Sequence, residues 1–154
     1  MTQKLKIFTA LLLLSISSCK PNDKSKTNEE YRKFSEFEIV NTNQISWNNL
    51  LSQKEERYLV FVYSETCDHC HVIQEEVISF AEDGIIQTYF IDTKISGDVT
   101  LTKDISDTIG ATKIKDVAIL GTPTLFEIED AAVKANIPGQ DSILSFLNEA
   151  RFSN

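Results

Sequence analysis

The chain predicts an α/β fold with a mixed central sheet and helices on both faces. Three observations lead there. Apolar runs rich in β-branched and aromatic residues, Tyr58–Tyr63 and Ile86–Asp92, alternate with stretches of helical period. Two cysteines, Cys67 and Cys70, fall where the first of those runs hands over to a helix. Two short strands, joined by a turn and followed by a helix, close the chain.

Residues 1–18 read as a leader. Lys4 and Lys6 give a positive start, and Ile7–Ile16 is apolar apart from Thr9 and Ser15, too short for a bilayer span and the length of a signal-peptide core. Ile16-Ser17-Ser18-Cys19 resembles the lipobox of bacterial lipoproteins, in which cleavage leaves the cysteine as a lipid-modified N-terminus. That reading makes Cys19 the lipidation site and accounts for the odd cysteine of three. Residues 19–33 follow as a lipidated cysteine and a polar, mixed-charge tether, about 20 Å long as flexible coil. Residues 34–154 form the folded domain.

Within the domain, Phe37 and Ile39 alternate with Glu36 and Glu38 and suggest a short strand. Ser46, Trp47, Leu50 and Leu51 read as a capped amphipathic helix running to about Glu56. Tyr58–Tyr63 is the central buried strand. Ile73, Val77 and Phe80 then mark one face of a helix that begins at the cysteines and ends near Asp83-Gly84. After Ile86–Asp92, a loop at Thr93–Gly97 leads to a helix built on Leu101, Ile105 and Ile109. Val117–Leu120 leads into Gly121-Thr122-Pro123-Thr124. Leu125–Ile128 and Ala132–Ala135 are the hairpin strands, Ile137-Pro138-Gly139 a turn, and Asp141 or Ser142 the cap of a last helix with Ile143, Leu147 and Ala150 on its face.

The formal net charge of -8 argues against nucleic acid as a partner. The chemistry lies in Cys67-Asp68-His69-Cys70. The first turn of a helix has unpartnered backbone N–H groups and a positive dipole end, and both favour a thiolate on Cys67. Cys70, one turn on, is placed to attack a mixed disulfide formed at Cys67, so the pair can cycle between dithiol and disulfide. Three other readings compete. Cys67-Asp68-His69-Cys70-His71 also spells a c-type haem attachment site. Its second axial ligand is hard to supply, because the only Met is Met1 and the only other His lies inside the motif. Zinc or copper could use Cys67, Cys70 and His71, but no second Cys or His pair completes a tetrahedral site. An inert structural disulfide is the third; at this spacing it would restrain little chain entropy.

The order of features resembles the thioredoxin family over roughly Phe37–Phe152. An apolar strand precedes Cys67-x-x-Cys70 at a helix start, Gly121-Thr122-Pro123-Thr124-Leu125 precedes a strand about fifty residues on, and a hairpin and helix close the chain. The resemblance implies a thioredoxin fold with a cis Thr122–Pro123 bond facing the cysteines, where Thr122 and Pro123 would dock an extended substrate segment as an added strand. Two departures matter. Many thioredoxins carry a buried Asp where this chain has Phe61, so Cys70 must lose its proton another way, through water or with Glu65 as the candidate carrier. The Trp usual before the first cysteine is Thr66. A histidine before the second cysteine resembles disulfide isomerases and oxidases: His69 would favour the Cys67 thiolate and make the pair more oxidising, while the charge of Asp68 opposes it.

The resemblance therefore implies a thiol–disulfide oxidoreductase with catalytic Cys67 and Cys70, without cofactor or bound metal. It would be lipid-anchored on the outer side of a bacterial membrane and monomeric. Its expected partners are cysteine-containing proteins and a separate redox partner, such as a membrane electron donor or acceptor. The alternative function is a thioredoxin-fold module that handles metal or haem through Cys67, Cys70 and His71. A redox-inert scaffold is a third.

Overall fold

The computed structural model describes residues 31–152. The leader, Cys19 and the tether as far as residue 30 lie outside the described residues. The described residues belong to one compact unit.

Four strands form one mixed sheet: β1 (Arg57–Tyr63), β2 (Thr88–Asp92), β3 (Thr124–Glu129) and β4 (Ala132–Pro138), in the order β2-β1-β3-β4. β1 pairs parallel with β2 and antiparallel with β3, and β3 pairs antiparallel with β4. β1 is central and covered on both faces, which is why it reads as a continuous apolar run instead of an alternating one. Leu59, Phe61 and Tyr63 enter one core with Cys70, Phe80 and Ile143. Val60 and Val62 enter the other with Trp47, Ile119 and Phe126. Full burial of a side chain such as Phe61 is worth about 1.5–3 kcal/mol.

The first core is roofed by helices: α1 (Glu38–Thr42), α2 (Asp68–Val72), α3 (Gln74–Asp83) and, after the short α4 (Thr93–Ser96), the final α5 (Gln140–Phe152). The second core is closed by extended chain and single 3-10 turns, Trp47–Asn49 and Ile114–Asp116 among them. The cysteine helix is interrupted at Ile73, where the backbone leaves helical geometry (φ -104°, ψ 5°), and α3 ends on left-handed Gly84 as its sequence signal predicts.

Several expected elements change character. Glu36–Ile39 is not a strand: Glu36 ends the 3-10 turn Phe34–Glu36 and Glu38 begins α1, because Phe37 and Val40, three residues apart, face the same core. The strand-like pairing comes later, where Ile45 N–H donates to Phe90 O at 2.9 Å. The helix expected from Ser46 to Glu56 is only the turn Trp47–Asn49. The Ser46 side chain does not cap it, and the Leu50 carbonyl accepts from the buried Tyr58 hydroxyl at 2.9 Å. The helix expected at Leu101–Ile109 reduces to the turn Ser106–Thr108. Thr102 Oγ1 and Asp104 Oδ1 accept the N–H groups of Asp104 and Ser106, a local alternative to helix, and Leu101 pairs with Ile119 as an extended bridge. Conversely, the loop at Thr93–Gly97 holds α4, capped by Asp92 Oδ1 accepting from Lys94 N–H at 2.8 Å. Ile137 and Pro138 belong to β4, so only Gly139 (φ 83°) turns the chain into α5.

Candidate active site

The site lies where β1 ends. Ser64, Glu65 and Thr66 connect the strand to α2, and Cys67 N–H closes the turn onto Ser64 O at 3.1 Å. Cys67 takes the N-cap position of α2. Its Sγ accepts from Cys70 N–H at 3.2 Å, the place that a Ser or Asp oxygen fills in an ordinary cap. A disulfide joins Cys67 to Cys70, with Cα atoms 5.2 Å apart. The two cysteines differ in access: Cys70 is fully buried among Phe61 and the α3 side chains, whereas Cys67 is partly exposed. An incoming molecule can therefore reach Cys67 and not Cys70.

The Thr122–Pro123 peptide bond is cis. Cys67 Sγ lies 3.5 Å from Thr122 O, so the loop before β3 faces the more accessible sulfur. That loop is held at both ends: Thr124 Oγ1 donates to Gly121 O at 2.7 Å, and Gly139 N–H donates to Pro123 O at 2.9 Å. A cavity of about 460 Å³ opens beside it, lined by His69, Thr122, Pro123 and Gln140.

His69 reaches across this cleft, and its Nδ1–H donates to Gln140 Oε1 at 2.9 Å. Asp68 is exposed in the first turn of α2. Glu65 turns the opposite way. Its Oε2 accepts from Phe34 N–H at 3.0 Å and its Oε1 from Ser35 N–H at 2.9 Å. His71 donates from Nε2 to Glu65 O at 2.9 Å and stacks on Tyr31. Cys67, Cys70, His69, Thr122 and Pro123 are thus brought together, while the Glu65 carboxylate is engaged by backbone amides on the side of Phe34. Cys67, Cys70 and His71 do not converge as a ligand set: no group of three His, Cys, Asp or Glu able to hold a metal ion occurs among the described residues.

One residue of the site, Gln140, and one buried acid, Asp92, were not singled out from sequence. Gln140 carries no motif and matters only because β4 and Gly139 deliver the start of α5 to His69. Asp92 is a buried carboxylate at the end of β2, in register with Tyr63 of β1. Its one sequence signal is an acid that ends an apolar run. Burial, with the charges of Asp92 and Glu65 nearby, pushes the Tyr63 hydroxyl well above its ordinary pKa, so it stays protonated.

The backbone is similar to that of mitochondrial thioredoxin 3 from Saccharomyces cerevisiae in its oxidised form, with a TM-score of 0.52 and 13% identity over 73% of this chain and 97% of that one. It is also similar to a thioredoxin of Malassezia sympodialis, with a TM-score of 0.50 and 11% identity over 70% of this chain and 88% of that one. At such identities the likeness establishes the fold, which is a thioredoxin fold carrying a Cys-x-x-Cys disulfide. No protein-family model and no curated relative matches the chain.

Proposed function

We propose that this chain is a thiol–disulfide oxidoreductase that acts on protein substrates outside the cytoplasm. One observation carries the reading: an accessible Cys67, disulfide-bonded to a buried Cys70, holds its sulfur 3.5 Å from the carbonyl of the cis Thr122–Pro123 bond. An inert cross-link needs neither the unequal access nor the open cleft beside it.

In the reducing direction, the Cys67 thiolate attacks one sulfur of a substrate disulfide. A mixed disulfide forms and the other substrate sulfur leaves as a thiolate. Cys70 then gives up its proton to water and attacks Cys67 Sγ. The mixed disulfide breaks, the second substrate sulfur leaves, and the new Cys67–Cys70 bond carries the two electrons' worth of oxidation. In the oxidising direction each step runs backwards. Cys70 N–H stabilises the attacking thiolate, and His69 adds to this when protonated, against the charge of Asp68. Thr122 and Pro123 dock the substrate chain. No hydrogen bond to the Thr122 N–H is found among the described residues, which leaves this amide for an added strand.

Location follows from the leader. The lipobox-like Ile16-Ser17-Ser18-Cys19 supports cleavage before Cys19, lipid attachment there and a place in the bacterial cell envelope. A monomer in that position works with cysteine-containing proteins and a membrane electron donor or acceptor. The test is turnover of a protein disulfide by the full chain, compared with Cys67→Ser. Activity that persists in the variant would refute the assignment.

A further inference from the structure

We propose that Glu65 and His71 are positioning residues for Cys67, clasping the loop before it to the start of the domain, and that Glu65 is not a proton carrier for Cys70. This rests on the oxidoreductase reading for its consequence, though not for its geometry.

Three residues, Ser64–Thr66, connect the central strand to the Cys67 cap, and whatever holds them sets where the sulfur points. Some of their supports are local: Ser64 O accepts from Cys67 N–H, Ser64 Oγ from Thr66 N–H at 3.3 Å, and the Ser64 and Thr66 hydroxyls lie 3.1 Å apart. Two more come from about thirty residues away, and one from His71 in the following helix. The 3-10 turn Phe34–Glu36 starts without a side-chain cap from Lys33, so its first N–H groups need an acceptor. The Glu65 carboxylate supplies it, one oxygen to Phe34 N–H and one to Ser35 N–H. Such bonds to an ionised acceptor are the strong kind.

His71 closes the circuit. Its Nε2–H donates to Glu65 O. Its ring stacks on Tyr31 with centroids 5.0 Å apart and planes within 9°, and it lies 5.8 Å from the Phe34 ring. Nδ1 is buried without a partner among the described residues, so the bond to Glu65 is the ring's one polar tie. Phe34 is itself fully buried against Tyr63 and Phe61, at 4.3 and 5.7 Å. Glu65 is thus gripped through its side chain by the turn at Phe34, and through its carbonyl by a histidine packed on that same turn.

This arrangement suits a brace and not a shuttle. Protonating Glu65 would cost one of its two amide bonds, and no hydrogen bond or ion pair links it to Cys70 among the described residues. The Cys67 thiolate, in contrast, depends on a backbone geometry (φ -93°, ψ 107°) that keeps Sγ over the Cys70 N–H. Slack in Ser64–Thr66 loosens that bond first.

The test is alkylation of reduced Cys67 by iodoacetamide across pH, read by peptide mass spectrometry in the full chain. The variants are Glu65→Gln, Glu65→Ala and His71→Phe; the last keeps the stack and removes the Nε2 donor. The expected result is a rate at pH 7 lower by roughly three- to tenfold, the size of one lost hydrogen bond, with the apparent Cys67 pKa raised. Val133→Ala, a packing change in the other core, should lower the melting temperature and leave alkylation unchanged. The proposal is overturned if Glu65→Gln and His71→Phe alkylate as the unaltered protein does. It is also overturned if Glu65→Gln slows only the Cys70 step of turnover, as loss of a proton carrier would. A chain without a reversible couple would sink the oxidoreductase reading instead, and Cys67 alkylation would still report on the clasp.

Discussion

The sulfur of Cys67 stands 3.5 Å from the carbonyl oxygen of Thr122, across a gap of 55 residues in the chain. The contact joins the strand-to-helix turn after β1 to the cis-proline loop before β3. On the proposed function, a substrate cysteine that reaches Cys67 passes the backbone edge of Thr122, so that docking and sulfur exchange are one event.

The unequal access of the two cysteines gives the first prediction. Cys67→Ser should abolish exchange with protein disulfides. Cys70→Ser should leave the attack intact and remove its resolution, so mixed disulfides with substrate accumulate at Cys67. Non-reducing electrophoresis shows this directly. Accumulation on Cys70 in the Cys67→Ser variant would mean that the roles are reversed.

The bond from His69 to Gln140 ties the ring to the rim of the cleft. His69→Ala should make the Cys67–Cys70 couple more reducing by about 30 mV, a tenfold change in the exchange equilibrium for two electrons. Gln140→Ala frees the ring without removing it and should shift the potential less. Equal potentials in all three proteins would leave His69 without a part in tuning.

Buried and partnered tyrosines should make stability fall at alkaline pH. Burial, with a hydrogen bond to Glu55, pushes the Tyr89 hydroxyl up to about 12, and burial raises Tyr58 and Tyr63 as well. In the unfolded chain these groups ionise near 10. A raised folded pKa favours the protonated form, so this stabilisation is fully present below about pH 10 and is lost as pH rises from there through the folded values. Urea midpoints should be level up to about pH 9.5 and then fall. Tyr89→Phe should flatten the decline above pH 10, and an unchanged slope would show that Tyr89 is not responsible.

The β3–β4 hairpin turns on Asp130 and Ala131, with φ of 52° and 57°. Two left-handed residues in succession make a tight turn suited to the sheet twist, but a side chain at Ala131 disfavours that geometry. Ala131→Gly should stabilise the protein by about 1 kcal/mol, seen as a higher melting temperature. A drop would indicate that the cost of a freer unfolded chain outweighs the relief.

Legibility from sequence followed the range of the interactions. Tyr58–Tyr63, the cysteines at a helix start, the Asp83-Gly84 stop and the hairpin strands are written in short contiguous patterns, and the structure has all of them. The cis Thr122–Pro123 bond was expected from resemblance and is present. Leu101, Ile105 and Ile109 have helical spacing, yet Leu101 and Ile109 remain exposed, because Thr102 and Asp104 offer the backbone local acceptors. The part played by Glu65 was hidden for another reason. Its partners Phe34 and Ser35 lie about thirty residues away and donate main-chain N–H groups, which no residue type announces.

The reduction potential of the Cys67–Cys70 pair in the full chain tests the proposed function most directly. The protein would be equilibrated in glutathione buffers, its thiols trapped, and the two cysteines read separately by peptide mass spectrometry. The expected result is one reversible two-electron transition in which both cysteines change together, at about -270 to -120 mV, the span from thioredoxin to the strong oxidases. A pair that stays oxidised or stays reduced across the whole series, or cysteines that react independently, would contradict it.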